Sequence, residues 1–200
     1  LADGRDILQR DSPAEPDDDD LSVRLRLIAL AESGGRPPRG VRAGALGELR
    51  RVRDQLIRLV ERLDSAGLDG ASGAPIEGPD TPPLVGALLA GFPDRVALQR
   101  GASTDRYQLA AGQGARLGRE SAARGERLVL ALGLDGGRKG ARSESWIRLA
   151  VALREEWLPS EEQDELVFDT EQEAVVARRV RRFGSLVLAE RPSRSRADPL

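Results

Sequence analysis

SWIRLAVAL, residues 145–153, alternates without a break: Ile147, Leu149, Val151 and Leu153 fall on one side, Trp146, Arg148, Ala150 and Ala152 on the other. A period of two belongs to a strand with one face on a core. Upstream, RLVLAL (127–132) is apolar on both faces and reads as a central strand, joined to the first by the loop LDGGRKGARSE (134–144). Further upstream RYQLAA (106–111) and GARL (114–117) flank Gly112-Gln113, a short turn suited to a hairpin. Downstream ELVFD (165–169) and AVVARRV (174–180) bracket an acidic turn, and SLVLA (185–189) closes the series. Many short strands with frequent turns predict a small antiparallel barrel or sandwich.

What precedes the strands is helical. PLVGALLAGFPDRVA (83–97) opens with a short helix ending near Gly91 and Pro93. Residues 65–83, rich in Gly, Pro, Ser and Ala, read as a linker. Before it, GALGELRRVRDQLIRLVERLD (44–64) repeats apolar residues every three or four positions (Leu46, Leu49, Val52, Leu56, Leu59, Val60, Leu63), a single stripe with arginines 50, 51, 53, 58 and 62 on the remaining surface. SVRLRLIALA (22–31) puts Val23, Leu27 and Leu30 on one side, and the aspartates before it favour a helix's positive N-terminal end. Gly34, Gly35 and Pro37-Pro38 separate the two helices. The expected class is α+β: a helical segment over 1–64, a linker over 65–83, a β domain over 84–192 and a polar tail over 193–200.

Composition removes whole classes of chemistry. With no cysteine there are no disulfides or thiolate metal sites, and with no histidine the usual general base is missing. No run reaches the roughly 18 apolar residues of a membrane span, and the polar, acidic start is not a signal peptide. A soluble, cytoplasmic protein without membrane association is expected. Methionine is absent, so the chain reads as a segment of a longer one. A net charge of −2 gives no global attraction to nucleic acid, and any such case must be local.

Locally, Trp146 and Arg148 sit two apart on the strand face that the core pattern leaves outside, a stacking platform beside a phosphate partner or a half-buried packing tryptophan. Arg138, Lys139 and Arg142 crowd one loop, where several charges act together on a backbone. Arg95, Arg100, Arg106, Arg116, Arg119 and Arg124 are scattered, and each alone carries little weight. Tyr107 shares a face with Leu109 and is expected in the core with its hydroxyl at the rim; Phe92, Trp157, Phe168 and Phe183 are expected to pack. Arg178, Arg179, Arg181 and Arg182 have a competitor for phosphate: residues 161–173 hold seven carboxylates and no base. If 165–169 and 174–180 form a hairpin, the two sets lie opposite each other, and cross-strand pairing is expected for at least one of the pairs Arg178/Arg182 and Arg179/Arg181. With polar residues on both faces, this strand reads as an edge strand or one crossing a domain interface.

The runs LAGFPDRVALQRG, YQLAAGQGARL, RLVLALGLDGG and ARRVRRFGSLVLAERP, in this order, resemble the accessory region of HrpB-type bacterial helicases, which are DExH/DEAH-box ATP-dependent RNA helicases. The helical runs RDILQRDSP, DDDDLSVRLRLIAL and LRRVRDQLIRLV are similar to that family's helical bundle. The resemblance implies an oligonucleotide-binding (OB) type barrel beside a RecA-like motor, forming one wall of a single-strand channel. It implies ATP and Mg²⁺ in the motor domains and none in this segment. Lys139, the sole lysine, follows Arg138 and precedes Gly140, so it makes no phosphate-binding P-loop; Asp164-Glu165-Leu166 is no DExH box. The expected function is to guide single-stranded RNA or DNA beside the motor domains of the same parent chain, without hydrolysing ATP. Candidate contacts are Trp146, Arg148, Arg138, Lys139, Arg142, Arg178 and Arg182, with no catalytic, cofactor or metal residue. The alternative is a docking module without direct nucleic-acid contact, which predicts an exposed apolar patch on helix 44–64.

Overall fold

A computed structural model describes residues 6–8, 19–36, 40–65, 80–102, 104–135, 145–170 and 173–193. Three helices, α1 (Asp20–Glu32), α2 (Ala43–Ser65) and α3 (Pro83–Gly91), precede eight strands. Five of the strands close a barrel: β1 (Val96–Gln99), β2 (Arg106–Leu109), β3 (Gly114–Leu117), β4 (Leu128–Asp135) and β5 (Ser145–Ala152). Their spatial order is β1-β2-β3-β5-β4, with β4 returning to β1. This is the Greek-key connection of an OB barrel. Its strands are not all antiparallel: β3 and β5 run parallel, Arg116 facing Trp146 and Leu117 facing Ile147. The barrel is therefore mixed, because the chain from β3 to β5 passes through β4 and re-enters in the same direction.

The hairpin register also departs from a two-residue turn at Gly112-Gln113. β2 stops at Leu109, because the Ala110 and Ala111 amides donate to Val96 and Asp94 carbonyls on the β1 side (2.7 and 3.3 Å). Gly112, at φ +90°, closes the wider turn, and Arg106 comes to lie opposite Arg116.

The last three strands, β6 (Glu161–Asp169), β7 (Ala174–Phe183) and β8 (Leu186–Pro192), form a separate antiparallel sheet in the order β6-β7-β8. The expected hairpin is present, but its first strand starts four residues earlier, inside the acidic run. β7 is the central strand, not an edge. It carries arginine on both faces, and carboxylates meet both: Glu165 of β6 and Glu190 of β8 on one, Asp164 of β6 and Glu155, which precedes that strand, on the other.

Two cores hold these parts together. Inside the barrel, Tyr107, Leu109, Ala115, Leu117, Val129 and Ile147 pack on one another. The Tyr107 hydroxyl donates to the Glu126 carbonyl (2.6 Å), and burial, with Glu126 nearby, pushes its pKa up to about 12. Beneath the barrel, Leu128, Leu130, Val151 and Leu153 meet Val85 and Leu89 of α3 and Phe183, Leu186 and Leu188 of the second sheet.

The helical segment is stapled on by its aspartates. Asp19 caps α1, accepting from the Ser22 amide (2.7 Å), and also takes the Ala152 amide of β5 (3.1 Å). Asp20, only 4% exposed, accepts from the Ser121 hydroxyl and the Ala122 and Ala150 amides (2.7–2.9 Å). β3 ends at Leu117, level with Ile147, so the two carboxylates take up β5 amides that β3 no longer reaches. Val23 and Leu27 of α1 are buried as expected, but Leu30 is exposed.

Candidate nucleic-acid interface

Alternation along β2, β3 and β5 sends Tyr107, Leu109, Ala115, Leu117 and Ile147 inward, which forces Arg106, Arg116, Trp146 and Arg148 outward. Register then aligns them. Arg106 faces Arg116, Arg116 faces Trp146, and Trp146 faces Asp135, one row across four strands. Adjacent strands lie about 4.8 Å apart, so the row spans roughly 14 Å. Trp146 is 37% exposed, with the Arg148 guanidinium 5.7 Å from its ring centroid. Arg148 donates to Asp135 (2.7 Å) and lies 3.6 Å from Glu120; Arg116 lies 3.8 Å from Asp105. At the end of β1, Arg100 donates to Gln108 on the same outer face (3.3 Å). The outcome is an exposed aromatic ring beside cations on the outer face that β2, β3 and β5 share.

Trp146 and Arg148 are thus brought together as a surface pair. Arg138, Lys139 and Arg142, in the β4–β5 connection, lie outside the described residues. Arg178 and Arg182 are on the other sheet and are engaged there. Arg182 forms a bidentate pair with Glu165 (2.8 and 3.0 Å), and Arg178 bonds Glu190. On the opposite face Arg179 makes a bidentate pair with Asp164 (3.0 and 3.1 Å), and Arg181 bonds Glu155. All four arginines meet carboxylates. The bonds from Arg179 and Arg182 hold the Asp164 and Glu165 carboxyls below their usual range. Arg106 and Arg116, which alone meant little in the sequence, are the addition: only the hairpin register reveals that they share a row with Trp146. Of the aromatics expected to pack, Phe183 does so, while Phe168 is 59% exposed. Among the described residues no three carboxylates gather in a metal-binding group. No described helix is long and apolar enough to cross a membrane.

The second sheet has its own signature in the family comparison. Residues 160–193 match the connector region of the ATP-dependent RNA helicase HrpB. The match coincides with β6–β8 and contains the run ARRVRRFGSLVLAERP. The likeness to an accessory region of an HrpB-type helicase therefore holds. Among solved structures, the DEAH/RHA helicase HrpB of Escherichia coli is similar at 23% identity and a TM-score of 0.52, over 92% of this chain and 22% of that one. This likeness is one of fold. The E. coli DExH-box NTPase HrpB is 28% identical over 55% of this chain and 14% of that one, with a TM-score of 0.47. The chain thus spans less than a quarter of the length of the HrpB structures it matches. No curated protein matches it. The HrpB-like connector is docked on the barrel by Gly184-Ser185: the Ser185 amide donates to Ala110 (3.1 Å) and its hydroxyl to Leu109 (3.2 Å).

Proposed function

We propose that this chain guides single-stranded nucleic acid across the outer face of β2, β3 and β5, as the accessory region of an HrpB-type RNA helicase whose motor lies in the rest of the parent chain. In this reading the motor binds ATP and Mg²⁺ and hydrolyses the nucleotide, and the barrel contributes only binding. The observation that supports it best is the row Arg106–Arg116–Trp146 with Arg148 over the ring: guanidinium groups displace counterions from phosphates while an exposed indole stacks on a base. Asp105, Glu120 and Asp135 share that face and partly cancel its field. Weak binding is the physical consequence, suited to a wall along which a strand must move.

The test is a titration of the 200-residue chain with labelled single-stranded RNA across a salt series. Log K should fall with log salt by roughly 0.7 for each phosphate neutralised. Replacing Arg106 and Arg116 with alanine should flatten that slope by roughly 1.4, twice the single-contact value. Trp146→Ala should cost roughly 1–3 kcal/mol of binding with the slope unchanged. Asp135→Asn should tighten binding by removing an opposing charge. Absence of binding at low salt, or binding indifferent to salt, would sink the proposal.

A further inference from the structure

The second sheet caps one of its outer edges and leaves the other open. On β8 the Leu188 carbonyl, which points away from β7, accepts from the Arg127 guanidinium (2.6 Å). On β6 no main-chain group of the outer edge is bonded to another element among the described residues. One bond fixes which groups are open. The Ser193 amide donates to the Ala177 carbonyl (2.8 Å), so Ala177 faces β8 and, by alternation, Val176, Arg178 and Val180 face β6. Their partners in register are Val167, Glu165 and Gln163. Glu162, Asp164, Leu166 and Phe168 therefore turn their amides and carbonyls outward. A row of four such residues is matched by one kind of backbone, an extended strand.

The side chains on that edge define the segment it accepts. All four lie on one face of the sheet. Asp164 is held by Arg179, but Glu162 forms no hydrogen bond or ion pair among the described residues, because Arg181, opposite it, turns to Glu155. Leu166 and Phe168 are exposed to 65% and 59%, beside Ala177 and Val175 of β7. An added strand sets its side chains level with these, so it needs apolar residues against Phe168 and Leu166 and a cation against Glu162. Antiparallel addition is the more stable sense. Read from its N-terminus, the segment is then apolar, any, apolar, any, polar, any, basic. A second copy of β6 does not supply that order. Overlapped antiparallel over all four residues, it would set Glu162 against Phe168 and Asp164 against Leu166.

We propose that the outer edge of β6 is a docking site for an extended segment of another protein, which joins the sheet as a fourth, antiparallel strand. Its alternate residues are two apolar side chains, a polar one and a lysine or arginine. The site is independent of the barrel face: it involves none of the residues that would hold nucleic acid, and the two stand or fall on different measurements.

The experiment uses the 200-residue chain and a labelled peptide of that order, with threonine at the intervening positions. Fluorescence anisotropy should show saturable binding. N-methylation of the four amides aligned with the edge should weaken it roughly tenfold or more, whereas N-methylation of the intervening amides should leave it nearly unchanged. Hydrogen exchange should find the Glu162, Asp164, Leu166 and Phe168 amides open in the free chain and protected by the peptide, with Gln163, Glu165 and Val167 little altered. Glu162→Lys should reverse the preference between peptides ending in lysine and in glutamate. That variant should leave the circular dichroism of the chain and its RNA titration unchanged, since the side chain is exposed. Absence of saturable binding, or equal losses from the two methylated sets, overturns the proposal. So does finding the four amides already protected in the free chain, or sedimentation showing a dimer that the peptide does not dissolve.

Discussion

Asp20 performs two tasks that pull on one carboxylate. As the first residue of α1 it favours the helix's positive end, and through its side chain it satisfies a hydroxyl and two amides of the barrel. Truncation leaves those donors buried beside a cavity, and the cost of an unsatisfied donor exceeds the net value of the bond that satisfied it. Asp20→Ala is therefore expected to lower unfolding stability by about 3 kcal/mol, read from urea midpoints at constant m-value. Asp20→Asn should recover little, because its amide nitrogen would face donors. A loss below about 0.5 kcal/mol, the usual span of an exposed substitution, would mean that the staple is not formed. The sequence exposed only half of this: a run of aspartates before an apolar period marks a helix start, but nothing local says that the same carboxylates reach a strand 130 residues on.

At the scale of the element, the β6–β7 hairpin adds cross-strand ion pairs to its backbone ladder. Its inner half sets Asp164 against Arg179 in direct register, while Glu165 reaches diagonally to Arg182. Its outer half exposes Leu166, Phe168 and Val175 on one face. Both carboxyls have folded pKa values below their unfolded ones, through the bonds from Arg179 and Arg182. The folded hairpin thus binds fewer protons, and its ion pairs contribute fully above the ordinary carboxylate range of about 4. That contribution is lost as pH falls through the depressed folded values. Comparing the chain with an Asp164→Asn, Glu165→Gln variant, the difference in melting temperature should stay constant down to about pH 5, narrow below about pH 4 and close at lower pH. A gap that persists unchanged at about pH 2 would contradict the assignment. The hairpin was legible in outline because its carboxylates and arginines occupy facing runs. That β7 is the middle strand of a second sheet was not, since alternation fixes which residues share a face and says nothing of which strand lies beyond. The same limit hid the Arg106–Arg116 row, whose register depends on Ala110 and Ala111 turning to β1.

For the whole molecule the question is whether barrel and connector behave as one body. Their separate hydrogen-bonded sheets suggest two, but their apolar contacts argue for one: Leu188, Leu186 and Phe183 of the connector share a core with Leu130 and Val151 of the barrel and Leu89 of α3. Polar bonds reinforce the joint. Arg127, at the entry to β4, donates to the Leu188 carbonyl (2.6 Å) and bonds Glu155, which also takes Arg181 of β7. Gly184 is required there: at φ +55°, an added Cβ would stand 3.0 Å from the Ala110 carbonyl oxygen. Leu188→Ala should therefore cost about 2–4 kcal/mol, the range for emptying a buried leucine site. Because the core is shared, amides of β4 and β7 should lose hydrogen-exchange protection together and by similar factors. The outer hairpin, around Phe168 and Val175, should exchange fast in both proteins, having little packed against it. Loss confined to β6–β8 would show instead that the connector folds by itself and only rests on the barrel. One cooperative unit suits the proposed guiding role, since a shared core keeps the barrel face fixed relative to the second sheet.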